Sequence, residues 1–161
     1  KINGMRLVLL FLSVLVFSCS SSEKTPKNSS NKKEIDKLVF SFERTSCFGT
    51  CPEYKLSVYM NGKAELVGKA NYSFIGTFDC QDCDQEMMAK VVTLADQNKF
   101  WDMEKLYGEG VADLPSTITT LYMKKEPKSV TNILNGPEKL KDIESLIFDL
   151  YFKRVWVKKE K

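Results

Sequence analysis

Apolar and polar positions divide this chain into three stretches of different character. Leu7 to Phe17 is a nearly unbroken apolar run that follows Met5-Arg6 and stops at Ser18-Cys19. Ser20 to Lys33 holds Ser, Lys, Asn and Pro26 but no large apolar residue. It cannot bury enough surface to offset its chain entropy, and it reads as a flexible tether. From Lys37 the pattern becomes periodic. Leu38 to Phe42 alternates into a first strand and Tyr54 to Met60 into a second. Asn61-Gly62 is a hairpin signal, since both central residues of a type I′ turn take positive φ. Ala64 to Val67, closed by Gly68, and Tyr72 to Phe78 supply the third and fourth strands.

The period then changes from two to about 3.6. Asp82 with Gln85 three residues later is a variant capping box, after which Met87, Met88, Val91, Leu94 and Ala95 recur on one helical face. Phe100-Trp101 is expected to anchor the helix end on the sheet. Beyond an irregular stretch with Gly108, Gly110 and Pro115, strands return at Thr117 to Met123 and Ser129 to Leu134. Asn135-Gly136-Pro137-Glu138 opens a second helix with Pro at the first helical position, and Leu140, Ile143, Leu146, Ile147 and Leu150 form its apolar stripe. The order β-β-β-β-α-β-β-α predicts a two-layer α+β domain over residues 37–157, with a mostly antiparallel sheet and two helices on one face. The basic segment from Lys153 reads as a solvated end, with residues 158–161 as a tail.

Composition narrows the chemistry. The 161 residues carry 24 Lys and Arg against 21 Asp and Glu, and without residues 1–18, which hold Lys1 and Arg6, the balance is 22 to 21. A near-neutral balance argues against a nucleic-acid binder, which would show a basic stripe. Histidine is absent. That removes Ser-His and Cys-His nucleophilic sites and the HExxH zinc motif together, while catalysis by carboxylate, Lys or Tyr survives.

The opening run has a short basic start, an apolar segment and a small residue before the break, which is the secretory signal pattern. Spanning a bilayer needs roughly 20 apolar residues, and this run is well short of that. Val16-Phe17-Ser18-Cys19 resembles the lipobox of bacterial lipoproteins. The resemblance implies a signal peptide over residues 1–18, a tether over residues 19–36, and acyl chains on Cys19. These would hold the protein to a lipid membrane of the cell envelope, on a periplasmic or outer-membrane face. Met5 reads as the initiator, which leaves Lys1 to Gly4 outside the fold argument.

Arg44-Thr-Ser-Cys47-Phe-Gly-Thr-Cys51-Pro-Glu-Tyr54 is too particular for composition to explain. It resembles the R-x-x-C-[FY]-G-x-C-P-x-Y signature of a bacterial lipoprotein family known as domain of unknown function 6438. Asn61-Gly62, Gly68, Phe100, Tyr107, Asp113-Leu-Pro115 and Gly136-Pro137 follow in matching order. The resemblance spans about Val39 to Trp156 and implies the α+β domain and an exported setting. It brings no activity, and Asp79 to Asp84, with a second cysteine pair, is not part of the signature.

Four cysteines follow Cys19: Cys47 and Cys51 at C-x3-C, Cys80 and Cys83 at C-x2-C. Two such pairs can form a four-thiolate zinc site, whereas outside the cytoplasm disulfides are the default, paired locally or across. In an up-and-down meander Cys51 precedes the second strand and Cys80 follows the fourth. Six-residue strands then separate the pairs by roughly 20 Å, too far for one shared ion, and local pairs Cys47–Cys51 and Cys80–Cys83 are the favoured reading. The first pair, at a corner that sets strand register, is expected to matter more for stability. Cys80-Gln-Asp-Cys83 at a helix start also fits a redox C-x-x-C, although Asp79, Asp82 and Asp84 disfavour a thiolate. Glu109 and Asp113 could pair as carboxylates, and Tyr54, Tyr59, Tyr72, Phe74, Tyr107 and Tyr122 could form an aromatic face; both sets read more readily as loop acids and packed strand aromatics. The expectation is a membrane-anchored envelope lipoprotein without catalytic residues, metal or cofactor, acting through a protein or glycan partner. A periplasmic thiol-disulfide oxidoreductase or redox sensor using Cys80 and Cys83 is the alternative.

Overall fold

The computed structural model describes residues 36–109 and 113–160. The expectations for the signal segment, Cys19 and the tether lie outside the described residues. Eight strands form one sheet: β1 (Leu38–Arg44), β2 (Glu53–Tyr59), β3 (Ala64–Ala70), β4 (Gly76–Cys80), β5 (Leu106–Tyr107), β6 (Thr117–Leu121), β7 (Lys128–Asn132) and β8 (Trp156–Lys158). Their spatial order is β5-β7-β6-β1-β2-β3-β4-β8. Among the described residues only the β5–β7 pair is parallel. Helices α1 (Gln85–Gln97) and α2 (Glu138–Tyr151) pack beside each other on one face, which is the two-layer α+β architecture the periodicity predicts.

Alternation along β2 and β3 explains why one face is core. Tyr54, Leu56 and Val58 on β2, and Ala64 and Leu66 on β3, are buried with Phe40 and Phe42 of β1. The helices add Met87, Met88, Val91 and Ala95 from α1, and Leu140, Ile143, Ile147 and Tyr151 from α2. The opposite face is a ladder of charge. Glu43 meets Lys55 and Lys69, Lys69 also meets Glu53, and Lys159 bridges Glu65 and Asp79. Such half-exposed pairs add little individually, about 0–1 kcal/mol each, but they keep this face wet.

Several elements differ from expectation. The β2–β3 hairpin forms, yet Tyr59 N donates to Lys63 O at 2.9 Å and closes a three-residue loop, Met60-Asn61-Gly62. Gly62 alone of the three has positive φ, 82°, the pattern of a type I turn followed by a left-handed residue. Strand β3 continues past Gly68 to Ala70, and β4 begins only at Gly76. Residues 71–75 instead turn at Asn71 (φ 49°) and lay Tyr72 against Tyr54, ring centroids 4.8 Å apart. Helix α1 is capped by Asp84, whose carboxylate accepts from Met87 N at 2.9 Å. Asp82 is committed elsewhere, accepting from Val155 N at 3.1 Å and facing Arg154. Pro137 precedes the first helical residue, Glu138, with an extended ψ of 153°. The basic segment from Lys153 does not end in solvent as a free tail: β8 pairs with β4, and Lys159 N donates to Thr77 O at 2.9 Å. Among the described residues no helix is long and apolar enough to cross a membrane.

Gly68 permits the 71–75 loop to lie down. A Cβ there would run into the Phe74 carbonyl and come within 3.2 Å of the Tyr72 ring. Gly68→Ala is expected to destabilise the fold by about 1–3 kcal/mol, in the range of overpacked sites. Chemical denaturation with a linear extrapolation measures it, and an unchanged midpoint would mean the loop is not held there.

Candidate functional site

Arg44 ends β1, Pro52 precedes β2 and Tyr54 lies in its first two residues, and Thr117 opens β6, so antiparallel pairing brings these residues to the same end of the sheet. Helix α2 crosses above them. Between helix and sheet lies an open groove of about 540 Å³, lined by Phe42, Arg44, Pro52, Tyr54 and Thr117 from below and by Glu144, Ser145, Phe148 and Asp149 of α2 from above. Three residues of the Arg44–Tyr54 signature therefore face one cleft. This size lies within the usual range of small-molecule sites, about 300–1,000 Å³.

Of the three charged residues lining the groove, Arg44 and Glu144 stand on separate sheet supports, and Asp149 pairs with Lys153. Arg44 Nη1 donates to Thr117 Oγ1 at 2.8 Å. Asn132 Nδ2 donates to Glu144 Oε2 at 3.0 Å, and Asn132 Oδ1 in turn accepts from Gly136 N at 3.1 Å. Gly136 is required for this arrangement, since a Cβ there would stand 2.7 Å from the Asn132 side chain. Glu144 Oε1 is buried and has no hydrogen-bond partner. Burial pushes the Glu144 carboxyl up, while the Asn132 amide and the charges of Arg44 and Lys141 pull it back. Among the described residues no ion pair joins Arg44 to Glu144.

The apolar wall is a run of rings. Phe148 stacks on Phe152 at 5.0 Å with planes 12° apart, and Phe152 meets Tyr54 at 4.9 Å. Tyr54 meets Tyr72, and Tyr72, Phe74 and Phe78 follow in contact. Phe148 is 48% exposed, so the ring face away from Phe152 is open. The six aromatics considered as a binding face thus divide. Tyr54 and Tyr72 join this wall with Phe74 at its rim, Tyr59 and Tyr122 lie half-buried on the other sheet face, and Tyr107 sits in edge strand β5.

The cysteines occupy two separate corners. Cys47 and Cys51 lie at disulfide distance, Cα atoms 5.6 Å apart, and so do Cys80 and Cys83, also 5.6 Å apart. The two pairs are at opposite ends of the meander β1-β2-β3-β4, which excludes one four-thiolate ion site. Asp82 joins Cys80 and Cys83 in a cluster with ligand atoms within 4.8 Å of one another, but each sulfur is already spent on the other. The first clip carries Phe48 outward at 90% exposure, its N–H 3.4 Å from Asp113 O. Glu109 and Asp113 are both exposed.

The sequence profile of a family described as Domain of unknown function (DUF6438) matches residues 38–151. The chain belongs to this family. A search of curated proteins found no match. The matched segment of this DUF6438 domain runs from the first residue of β1 to the last of α2, so it holds every residue lining the groove and leaves β8 outside. Asn132, Glu144 and Phe148 escaped the sequence reading. Glu144 and Phe148 lie four apart on the flank of the apolar stripe of α2, where nothing in the period marks a polar or an extra apolar position as facing the sheet.

Two outcomes follow from this geometry. Cys80 and Cys83 pack against the core while Cys47 and Cys51 clip an exposed loop, and the register of β2 is held by neighbours on both edges. Replacing Cys80 and Cys83 by Ser is therefore expected to lower the thermal midpoint more than replacing Cys47 and Cys51, the reverse of the order expected from control of strand register at the first corner; calorimetry of the two double variants decides it. Burial also pushes the Tyr72 hydroxyl up to about 12 from 10.0. Folding thus favours its neutral form, and that contribution is complete below pH about 10 and lost as pH rises through about 12. Tyr72→Phe is expected to retain more of its midpoint between these values than the parent does.

Proposed function

We propose that this DUF6438 protein is a membrane-anchored envelope lipoprotein whose domain acts by binding, not by catalysis, and that the groove between α2 and the β1–β2 corner is its binding site. The observation that carries the reading is convergence. Arg44, Pro52 and Tyr54, all from one short signature, line a cleft with a stacked aromatic wall and a buried carboxylate oxygen that lacks a partner. Leaving such an oxygen unpaired costs about 1–3 kcal/mol or more, and a buried group in that state calls for an explanation.

The position of the groove supports an anchored role. Residue 36 leads into β1 at Leu38, and β1 runs from there to Arg44, about 20 Å away at the strand rise. A chain tethered through Cys19 would carry the groove on the end of the sheet opposite its attachment. The loops after β1, β3 and β7 and before β6 share that end, and they expose Phe48, Phe74, Ile75, Leu134 and Leu114.

Two measurements test the proposal. Cys19→Ser should release the protein from the membrane fraction, because stable anchoring takes more than one acyl chain; a variant that still pellets with membranes after an alkaline wash would remove the lipoprotein reading. In intact envelopes, a photo-crosslinker placed at Ser145 should capture a partner that Phe148→Ala no longer captures. Equal capture by both would take the groove out of the function.

A further inference from the structure

We infer that the groove's ligand is a saccharide, an uncharged chain of pyranose rings seated between Arg44, Glu144 and the exposed face of Phe148. The inference rests on the binding-module reading above and names its ligand class. The polar groups come first. Arg44 can only donate and ionised Glu144 can only accept. They stand in one cleft without pairing to each other, each held by a different sheet residue, Thr117 and Asn132. A sugar hydroxyl does both at once, accepting from an Arg44 N–H and donating to the Glu144 carboxylate, whose Oε1 is buried here and must turn toward the groove to receive it. An anionic ligand would meet the Glu144 and Asp149 carboxylates, and a cationic one would meet Arg44.

The apolar side agrees. One flat face of a pyranose ring presents only C–H groups, which pack on the face of an aromatic ring. Phe148 offers such a face at a fixed angle, because Phe152 backs it in a nearly parallel stack. Tyr54 supports that stack from the sheet, and Pro52 adds a second apolar surface beside it. Thr50, Asn71, Ser73 and Ser116 lie on loops at the same end of the sheet.

An extended peptide fits less well. Recognition of a strand requires a free edge, and β1, β2 and β6 each have both edges paired. A peptide could lodge only a side chain here and would leave its backbone groups without partners.

The test uses the full acylated chain in phospholipid vesicles, titrated calorimetrically with maltotriose, cellotriose, the N-acetylglucosamine trimer and, in a separate arm, an octapeptide library. At least one trisaccharide is expected to bind. Phe148→Ala, Arg44→Lys and Glu144→Gln should each weaken it about tenfold or more, as expected for losing a charge-assisted hydrogen bond or a stacking surface. Glu144→Gln should keep the parent's cooperative thermal transition while it weakens binding, which separates a lost contact from misfolding. Phe48→Ser lies outside the groove lining and should leave the affinity unchanged. Trisaccharide binding that survives all three groove variants overturns the inference. Binding of octapeptides but of no trisaccharide also overturns it, and leaves the binding-module reading standing. If neither class binds and crosslinking at Ser145 captures nothing, both fall.

Discussion

Strand β1 is hydrogen-bonded along both edges, to β2 over Leu38–Arg44 and to β6 over Phe40–Arg44, and it buries Val39, Phe40, Ser41 and Phe42 in succession. The rest of the domain is arranged around that double constraint. A strand with no free backbone and no exposed middle cannot slide, because a slip of one residue would turn Phe40 and Phe42 away from the helices and bring Ser41 and Glu43 beneath them. The position of Arg44 is set by this register. It follows Phe42 by one pleat on the core-facing side and lies opposite Tyr54 on one flank and Thr117 on the other. Pairing on both flanks fixes the backbone from which the guanidinium reaches Thr117.

The second support of the groove is built independently. Gly136 leaves room for Asn132, which accepts from the Gly136 N–H and holds Glu144 from below. A turn residue with no side chain therefore determines the orientation of a carboxylate eight residues later. The two supports meet only across open space, and this leaves opposite charges near each other yet unneutralised. Packing alone does not require such an arrangement, since burial pushes the Glu144 carboxyl up and so disfavours its charged form.

Much of the architecture was legible in the chain because the apolar period is strong where the core is. The four-strand meander, both helices and the segregation of the two cysteine pairs follow from residues such as Leu56, Val58, Met87, Val91, Ile143 and Ile147, which alternate or recur without exception. What could not be read is short or depends on distant partners. Leu106-Tyr107 and Trp156-Val157-Lys158 are too brief to carry a period. Asp82 and Asp84 are indistinguishable as caps until Val155 claims the first. Tyr72 and Phe74 alternate like a strand, but Gly68 lets them fold onto Tyr54. In the groove, the signature exposed Arg44, Pro52 and Tyr54 as unusual, whereas Asn132, Glu144 and Phe148 acquire meaning only through contacts the chain does not announce.

The outermost strands of the sheet have a consequence for how the domain behaves in numbers. β5 offers two residues of backbone at one margin and β8 three at the other, the latter followed by Lys159, whose ammonium is held by Glu65 and Asp79. Short, lysine-bearing margins are poor templates for another copy's strand. A sheet of eight strands is wide enough to invite end-to-end polymerisation, and these margins oppose it. Copies crowded on a surface would then remain separate units that diffuse past one another without merging their sheets.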